Sequence, residues 1–135
     1  MKEFEQPLER GPKKRILVAD DDEVIIAGVE ATLEMLDYEV VIVHNGKELL
    51  AKLESGVKFN AVITDNNMPE MDGIDALEQI RKNPKFEKLP VILHTGGGDP
   101  NLEGRVRKLG ARYLEKPYGF ETLESILGEA LKENK

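Results

Sequence analysis

The chain has 135 residues, of which 40% are apolar, so it is about the size of one domain and can form one hydrophobic core. It has no cysteine, which excludes disulfides, thiolate metal sites and cysteine nucleophiles, and its net charge of −7 disfavours general binding to nucleic acid or anionic membranes. No apolar run approaches the roughly 20 residues that span a bilayer, and the amino terminus does not resemble a signal peptide. We therefore expect a soluble, cytoplasmic, single-domain protein.

Apolar runs alternate with amphipathic stretches after residues 1–13, a charged segment that we expect to be a flexible tail. The apolar and β-branched runs predict strands at Arg15–Asp20, Tyr38–His44, Asn60–Asp65, Leu89–Thr95 and Ala111–Lys116. Apolar residues at helical spacing predict helices at Glu23–Leu36, Lys47–Leu53, Gly73–Arg81 and Asn101–Leu109, and a last helix from Phe120. In the first helix the apolar stripe is Ile25, Val29, Leu33 and Leu36.

Five strands in strict alternation with helices predict an α/β fold with helices on both faces of a parallel sheet. With right-handed crossovers, we expect a doubly wound five-stranded parallel sheet of order 2-1-3-4-5, the flavodoxin-like (βα)5 arrangement. Ligands in such sheets bind at the carboxyl ends of the strands, so the polar residues at those ends are the functional candidates.

The candidates are Asp20, Asp21 and Asp22 after strand one, Asp65 at strand three, Thr95 and three glycines at strand four, and Lys116–Pro117 at strand five. Crowded carboxylates repel one another, and a divalent cation with oxygen ligands, such as Mg²⁺, supplies the positive charge they need. A lysine and a threonine can contact phosphoryl oxygens, and an aspartate can attack phosphorus. The set indicates metal-assisted phosphoryl transfer onto a carboxylate, while Asp22 is expected to cap the first helix.

These residues resemble the receiver domain of two-component response regulators, in its single-domain, chemotaxis-regulator-like form. The match covers roughly residues 14–132, within an expected domain of residues 14–135. "ILVADDD" resembles the family's first strand with its acidic pair, and "TDNNMPEMDG" resembles its phosphoacceptor stretch. "VILHTG" and "YLEKP" resemble the signatures of its fourth and fifth strands. All four motifs, in order and at strand ends, make the resemblance specific.

The resemblance implies a role for each matching residue. The implied phosphoacceptor is Asp65. The implied ligands of Mg²⁺, or of Mn²⁺, are Asp20, Asp21, Asp65 and the backbone carbonyl of Asn67. The implied phosphoryl-binding and switch residues are Thr95, Lys116 and Tyr113, with Gly96 and Pro117 in support.

The resemblance also implies a signalling switch rather than an enzyme that turns over an external substrate. A sensor histidine kinase or a phosphotransfer protein donates the phosphoryl group, and the surface of the fourth helix, fifth strand and fifth helix responds by binding an output protein. Because no effector domain follows Lys135, we expect output by protein contact unless the chain is part of a longer protein.

Two departures from the family pattern carry expectations of their own. The stretch Gly110–Lys116 is one residue shorter than the family's common form, which predicts a shifted Tyr113 or a shorter turn before strand five. Gly97 lies two residues after Thr95, at a position that tunes the lifetime of the phosphoryl group in this family. With no side chain at Gly97 to screen the site, we predict easy access of water and a short to moderate lifetime.

Three other functions compete with this interpretation. An aspartyl-phosphate phosphatase commonly carries a second acid two residues after its nucleophile, where this chain has Asn67. A pseudo-receiver that binds partners without being phosphorylated does not require the complete set of residues. A flavodoxin-like nucleotide or flavin binder requires a glycine loop after the first strand, where Asp20–Asp22 would repel phosphate.

Two further features have a simple structural interpretation beside a functional one. His94 should point away from Thr95 by strand alternation, so we interpret it as a packed or edge histidine rather than a catalytic or metal-binding one. The basic patch (Arg105, Arg107, Lys108 and Arg112) is either a solvated helix face or a docking surface for an acidic output partner.

Overall fold

The computed structural model describes residues 12–97 and 99–133, so residues 1–11 of the predicted tail lie outside the described part. The strands are β1 (Arg15–Ala19), β2 (Glu39–Val43), β3 (Ala61–Asp65), β4 (Val91–Thr95) and β5 (Arg112–Glu115). The helices are α1 (Glu23–Met35), α2 (Gly46–Glu54), α3 (Gly73–Lys82), α4 (Pro100–Lys108) and α5 (Phe120–Glu133). A short 3₁₀ helix at Pro84–Phe86, which the sequence patterns did not predict, leads from α3 towards β4.

The strands form one parallel sheet of order β2-β1-β3-β4-β5, which confirms the predicted fold and topology. β4 begins at Val91 and not at the predicted Leu89, because Pro90 has no N–H to contribute to the sheet. The carbonyl of Pro90 nevertheless accepts a hydrogen bond from the N–H of Val62, so this residue joins the sheet through its acceptor alone.

Two apolar layers cover the two faces of the sheet. The layer with α2, α3 and α4 contains residues such as Leu49, Leu77 and Val106. The layer with α1 and α5 contains residues such as Leu33, Leu123 and Leu127. The sheet is therefore buried on both sides, and polar chemistry is confined to its carboxyl edge.

The buried stripe of α1 differs from the predicted one at its two ends. Val29 and Leu33 are buried as predicted, but Ile26 is buried in place of Ile25, and Ile25 is only partly covered. Leu36 ends the helix and is also partly exposed. The shift by one residue follows from the 3.6-residue turn, which places either neighbour near the edge of an apolar face.

Arg81, near the end of α3, forms hydrogen bonds with the two connections that lead into β4 and β5. Its guanidinium donates to the carbonyls of Leu109 at 2.6 Å, Leu89 at 2.8 Å, Phe86 at 3.0 Å and Gly110 at 3.4 Å. Burial lowers the pKa of Arg81, but the pKa stays far above neutral for a guanidinium. One fixed cation thus satisfies backbone acceptors of both the α3–β4 and the α4–β5 connections.

In the part of the chain that the structure describes, no helix is long and apolar enough to cross a membrane.

Candidate functional site

Strand alternation brings three polar side chains together at the carboxyl edge of the sheet. On the face towards α1 and α5, apolar residues of β1, β3 and β4 are followed two positions later by polar ones. The apolar residues are Val18, Ile63 and Ile92, and the polar residues that follow them are Asp20, Asp65 and His94. All three polar residues are buried, and Asp65 lies in register with His94 on the neighbouring strand.

Lys116, just after β5, provides the cation of this group. Its ammonium nitrogen lies 3.3 Å from Oδ1 of Asp65 and 3.6 Å from Oδ2 of Asp20. The N–H of Lys116 donates to the carbonyl of Thr95 at 2.7 Å, so the end of β5 is tied to the end of β4. The predicted association of Asp20, Asp65 and Lys116 therefore appears as side-chain contacts.

The pKa values of Asp20 and Asp65 are shifted in opposite directions. Burial raises the pKa of Asp65, and the charge of Asp20 raises it further, while Lys116 opposes these effects only in part. Burial also acts upward on the pKa of Asp20, but a hydrogen bond from His94 and then the N–H of Asp22 bring that pKa below its ordinary value. One ammonium therefore does not balance two buried carboxylates, and the excess negative charge falls on Asp65.

The loop after β3 is held tightly behind Asp65. The hydroxyl of Thr64 donates to the carbonyl of Asp65 at 2.9 Å, and Gly73 packs so closely that a Cβ there would collide with the same carbonyl oxygen. The N–H of Gly73 donates to the carbonyl of Asn66 at 2.9 Å. Only glycine can begin α3 at this distance from the acceptor strand.

The amino terminus of α3 is capped by Asn66, which lies several residues before the helix in sequence. Asp72 is the residue before the helix, but its side chain makes no capping hydrogen bond. The amide oxygen of Asn66 accepts from the N–H of Ile74 at 2.9 Å instead. By contrast, Asp22 caps α1 as predicted, since its carboxylate accepts from the N–H groups of Val24 and Ile25.

The other predicted metal ligands, Asp21 and Asn67, are exposed, whereas Asp20 is fully buried. Within the described residues, the groups that bring three candidate metal-binding atoms within 4.8 Å of one another come from Asp20, Asp65 and His94, so the carboxylate of Asp21 is not among them. The buried carboxylates of Asp20 and Asp65 are oxygen donors of the kind that Mg²⁺ prefers.

The predicted switch residues lie around the end of β4 and β5. Thr95 is buried as the last residue of β4, Gly96 follows it at the surface, and the peptide bond between Lys116 and Pro117 is cis. Tyr113 is half-buried against the layer of α2, α3 and α4. Burial raises the pKa of Tyr113 and the backbone of Asp99 opposes it, yet its buried hydroxyl makes no well-aligned hydrogen bond with any described residue.

The space beside Gly97 is not empty. Gly97 has φ +90°, and a Cβ there would lie 2.7 Å from Cδ of Glu115. Glu115 pairs with Thr95 in the sheet, so its side chain comes from the neighbouring strand into the space that residue 97 leaves. The predicted open approach over Gly97 is therefore bordered by a carboxylate of β5.

His94 has a contact that the sequence patterns missed. It is a packed histidine as predicted, with 0% of its surface exposed, but both of its ring nitrogens contact other side chains. Its Nε2 lies 2.9 Å from Oδ2 of Asp20, and its Nδ1 lies 2.6 Å from the hydroxyl of Tyr118. This contact depends on the register that pairs Asp65 with His94, which the pattern of a single strand does not reveal.

The basic patch is partly neutralised within the chain. Arg105 lies 2.9 Å from Glu78, and Arg107 lies 2.7 Å from Glu103. Arg112 also has an interaction partner. These pairs are exposed, and such pairs contribute little to stability, so another acidic group could replace the glutamates at small cost.

Comparison with known proteins identifies the family. A sequence model of the response regulator receiver domain matches residues 16–128. The chain belongs to this family. Receiver domains are signalling switches that generally bind Mg²⁺ and interact with histidine kinases or phosphotransfer proteins and with output partners.

Individual relatives agree with this assignment. Chemotaxis protein CheY1 of Helicobacter pylori is 32% identical over 120 residues, which cover 84% of this chain and 97% of that protein. A CheY-like receiver domain protein of Methanospirillum hungatei has a solved structure with a TM-score of 0.82 and 33% identity, covering 91% of this chain and 97% of that one. The structure of CheY4 of Vibrio cholerae gives a TM-score of 0.81 at 30% identity, covering 89% of this chain and 100% of that one. These matches confirm the predicted family and fold.

Proposed function

We propose that this receiver domain accepts a phosphoryl group on Asp65 from the phosphohistidine of a sensor histidine kinase or a phosphotransfer protein. The observation that carries the proposal is the contact of one ammonium with two buried carboxylates, 3.3 Å from Asp65 and 3.6 Å from Asp20. Asp65 would attack phosphorus, Asp20 would hold a cation, and Lys116 would contact a phosphoryl oxygen.

The residues proposed to hold Mg²⁺ or Mn²⁺ are Asp20, Asp21, Asp65 and the carbonyl of Asn67. The raised pKa of Asp65, caused by burial and then by Asp20, supports this assignment because it marks uncompensated negative charge at the sheet edge. A metal held by these residues would supply positive charge that offsets the negative charge of the carboxylates and of the phosphoryl group.

The chain's own residues would carry the transfer in one displacement. An ionised oxygen of Asp65 attacks phosphorus, the bond from phosphorus to the donor's imidazole nitrogen breaks, and that nitrogen keeps the electron pair and takes up a proton from solvent. Lys116 and the hydroxyl of Thr95 then bind phosphoryl oxygens. No general acid is required from the chain, because imidazole is a good leaving group.

The response would be a change of the surface formed by α4, β5 and α5. Thr95 ends β4, Lys116 directly follows β5, and the Lys116 N–H donates to the Thr95 carbonyl, so movement of one residue would be transmitted to the other. Tyr113 would move with them. Unpairing of Arg105 from Glu78 and of Arg107 from Glu103 would let this surface receive an acidic output protein.

The chain would act as a self-limiting switch and not as an enzyme with an external substrate. The side chain two residues after Asp65 is the amide of Asn67, which cannot act as a general acid or base. Hydrolysis of the phosphorylated form would therefore depend on water that reaches the site.

The test is phosphorylation by a small phosphodonor with Mg²⁺, followed by intact-mass measurement. We expect the wild type and Asp37→Asn to gain one labile phosphoryl group, because Asp37 is an exposed acid between α1 and β2, at the opposite end of the strands from Asp65. We expect Asp65→Asn to gain none. A wild type without an adduct would refute the phosphorylation proposal, and an equal adduct on Asp65→Asn would refute the assignment of the acceptor.

A further inference from the structure

We infer that His94 is a positioning residue for the metal site, with Tyr118 as the residue that fixes His94. The imidazole holds the carboxylate of Asp20 in one orientation before any cation binds. This inference rests on the proposed role of Asp20 as a metal ligand and adds two residues to that site.

Side-chain contacts link Tyr118 to His94 and His94 to Asp20, at the carboxyl edge of the sheet. The Tyr118 hydroxyl lies 2.6 Å from Nδ1 of His94, and Nε2 of His94 lies 2.9 Å from Oδ2 of Asp20. His94 and Asp20 are both fully buried, and Tyr118 is partly buried just after the cis bond to Pro117. His94 and Asp20 therefore cannot exchange each other for water without opening the edge of the sheet.

The chemistry of Asp20 fixes the direction of its hydrogen bond with His94. An ionised carboxylate can only accept, so Nε2 of His94 must carry the proton that reaches Asp20. The Tyr118 hydroxyl is the hydrogen-bond partner of Nδ1 on the other side of the ring. Burial, followed by the charges of Asp20 and Asp65, raises the pKa of Tyr118, so the hydroxyl keeps its proton.

Both oxygens of Asp20 are therefore held in place. Oδ2 accepts from His94, and Oδ1 accepts from the N–H of Asp22 at 2.9 Å. Each oxygen keeps a second lone pair for a cation or for a water bound to it. A carboxylate whose rotation is already lost binds a cation at smaller entropic cost, and partners of this kind typically change metal affinity by about 10–100-fold when removed.

Direct ligation by His94 is the competing interpretation, since its ring nitrogen belongs to the group of three atoms within 4.8 Å of one another. Two observations favour positioning. Nε2 lies 2.9 Å from Oδ2 of Asp20, and Nδ1 lies 2.6 Å from the hydroxyl of Tyr118. Each ring nitrogen of His94 therefore has a hydrogen-bond partner within the chain.

The test measures Mn²⁺ affinity by titration of the free-ion electron paramagnetic resonance signal. His94→Leu removes the donor, His94→Gln keeps an amide N–H and an amide oxygen at a similar reach, and His44→Gln alters the exposed histidine at the end of β2 as the matched control. We expect a loss of about 10-fold or more for His94→Leu, and affinities within about 3-fold of wild type for the other two.

The outcomes separate this inference from the proposed function. If the wild type binds no Mn²⁺ or Mg²⁺, the proposed metal site itself fails. If the wild type binds and His94→Leu binds within about 3-fold of it, or if His94→Gln loses as much affinity as His94→Leu, the positioning role is refuted while the metal site stands.

A second measurement does not depend on whether His94→Leu folds. Nitrogen-15 nuclear magnetic resonance of the His94 ring in the wild type is expected to show a proton on Nε2, with and without Mg²⁺. Tyr118→Phe is expected to perturb the Nδ1 signal because its hydrogen-bond partner is lost. Absence of the Nε2 proton, or its loss when Mg²⁺ binds, would overturn the inference.

Discussion

Replacement of Gly73 by alanine should damage both the fold and the acceptor loop, because a methyl group has no room there. A Cβ on Gly73 would collide with the carbonyl oxygen of Asp65 and would also lie 3.0 Å from the carbonyl carbon and 3.1 Å from Cα of Asn66. These are backbone atoms, which cannot move aside as the end of a side chain can. Retreat of α3 would in turn break the hydrogen bond from Gly73 to the Asn66 carbonyl.

The expected loss in the free energy of unfolding follows from the severity of this steric collision. Overpacking in a closed core costs about 1–3 kcal/mol, and a collision with the backbone of Asp65 and Asn66 places Gly73→Ala at the upper end, about 3 kcal/mol. For a chain of this length, that loss lowers the melting temperature by about 10 °C. Far-ultraviolet circular dichroism during urea unfolding is the suitable assay, because the chain has no tryptophan.

The matched control is Gly28→Ala in α1. A Cβ on Gly28 would meet nothing within 4 Å, and glycine inside a helix costs about 0.5–1 kcal/mol relative to alanine. Gly28→Ala should therefore be stabilising. If Gly73→Ala unfolds within about 0.5 kcal/mol of wild type, the packing of α3 against the Asp65 carbonyl does not constrain the loop as argued.

Three further predictions concern other parts of the molecule. Arg81→Met should lower the free energy of unfolding by about 3 kcal/mol, because several backbone acceptors lose a charged donor; a loss below about 1 kcal/mol in urea unfolding would contradict this. Asp65→Asn should raise the melting temperature at neutral pH, since the raised pKa of Asp65 makes its ionised form unfavourable in the folded state. That gain should shrink as pH falls through the folded pKa towards the ordinary 3.8, and a pH-independent difference would argue against the cause given. Gly97→Ala should lower the melting temperature, and Glu115→Ala in the same chain should restore part of the loss; no restoration would show that strain at φ +90°, and not contact with Glu115, is responsible.

Local patterns were sufficient to predict the architecture of this receiver domain. Buried parallel strands must be apolar throughout, so runs such as Ala61–Thr64 stand out against the polar residues that follow them. The meeting of these side chains could also be predicted, because parallel strands deliver the residues at their carboxyl ends to one edge whatever the details of packing. The strand order alone was enough to predict that Asp20, Asp65 and Lys116 lie close together.

The contact of His94 could not be predicted from the alternation within β4 alone. His94 and Thr95 point to opposite faces of the sheet, but Asp20 and Asp65 lie on the same face as His94. Register between β3 and β4 decides this, and register is set by packing that a single strand does not reveal.

Interactions that depend on long-range backbone geometry could not be predicted either. In the sequence, Arg81 has the pattern of an ordinary basic residue at the end of a helix. In the structure, its guanidinium donates to the carbonyl of Leu109, 28 positions away. Asn66 reads as a loop residue, yet it caps α3 in place of Asp72 because the loop folds back on itself. Both contacts satisfy backbone groups whose positions exist only once the chain has folded.

The measurement that tests the central claim most directly is chemical location of the phosphoryl group. After treatment with a small phosphodonor and Mg²⁺, borohydride reduction converts an aspartyl phosphate to homoserine, and peptide mass spectrometry identifies the modified position. We predict modification at Asp65 and at no other acid, and none when Mg²⁺ is replaced by a chelator. Modification at Asp20 or Asp21, or at Asp65 without any requirement for a divalent cation, would contradict this account of the site.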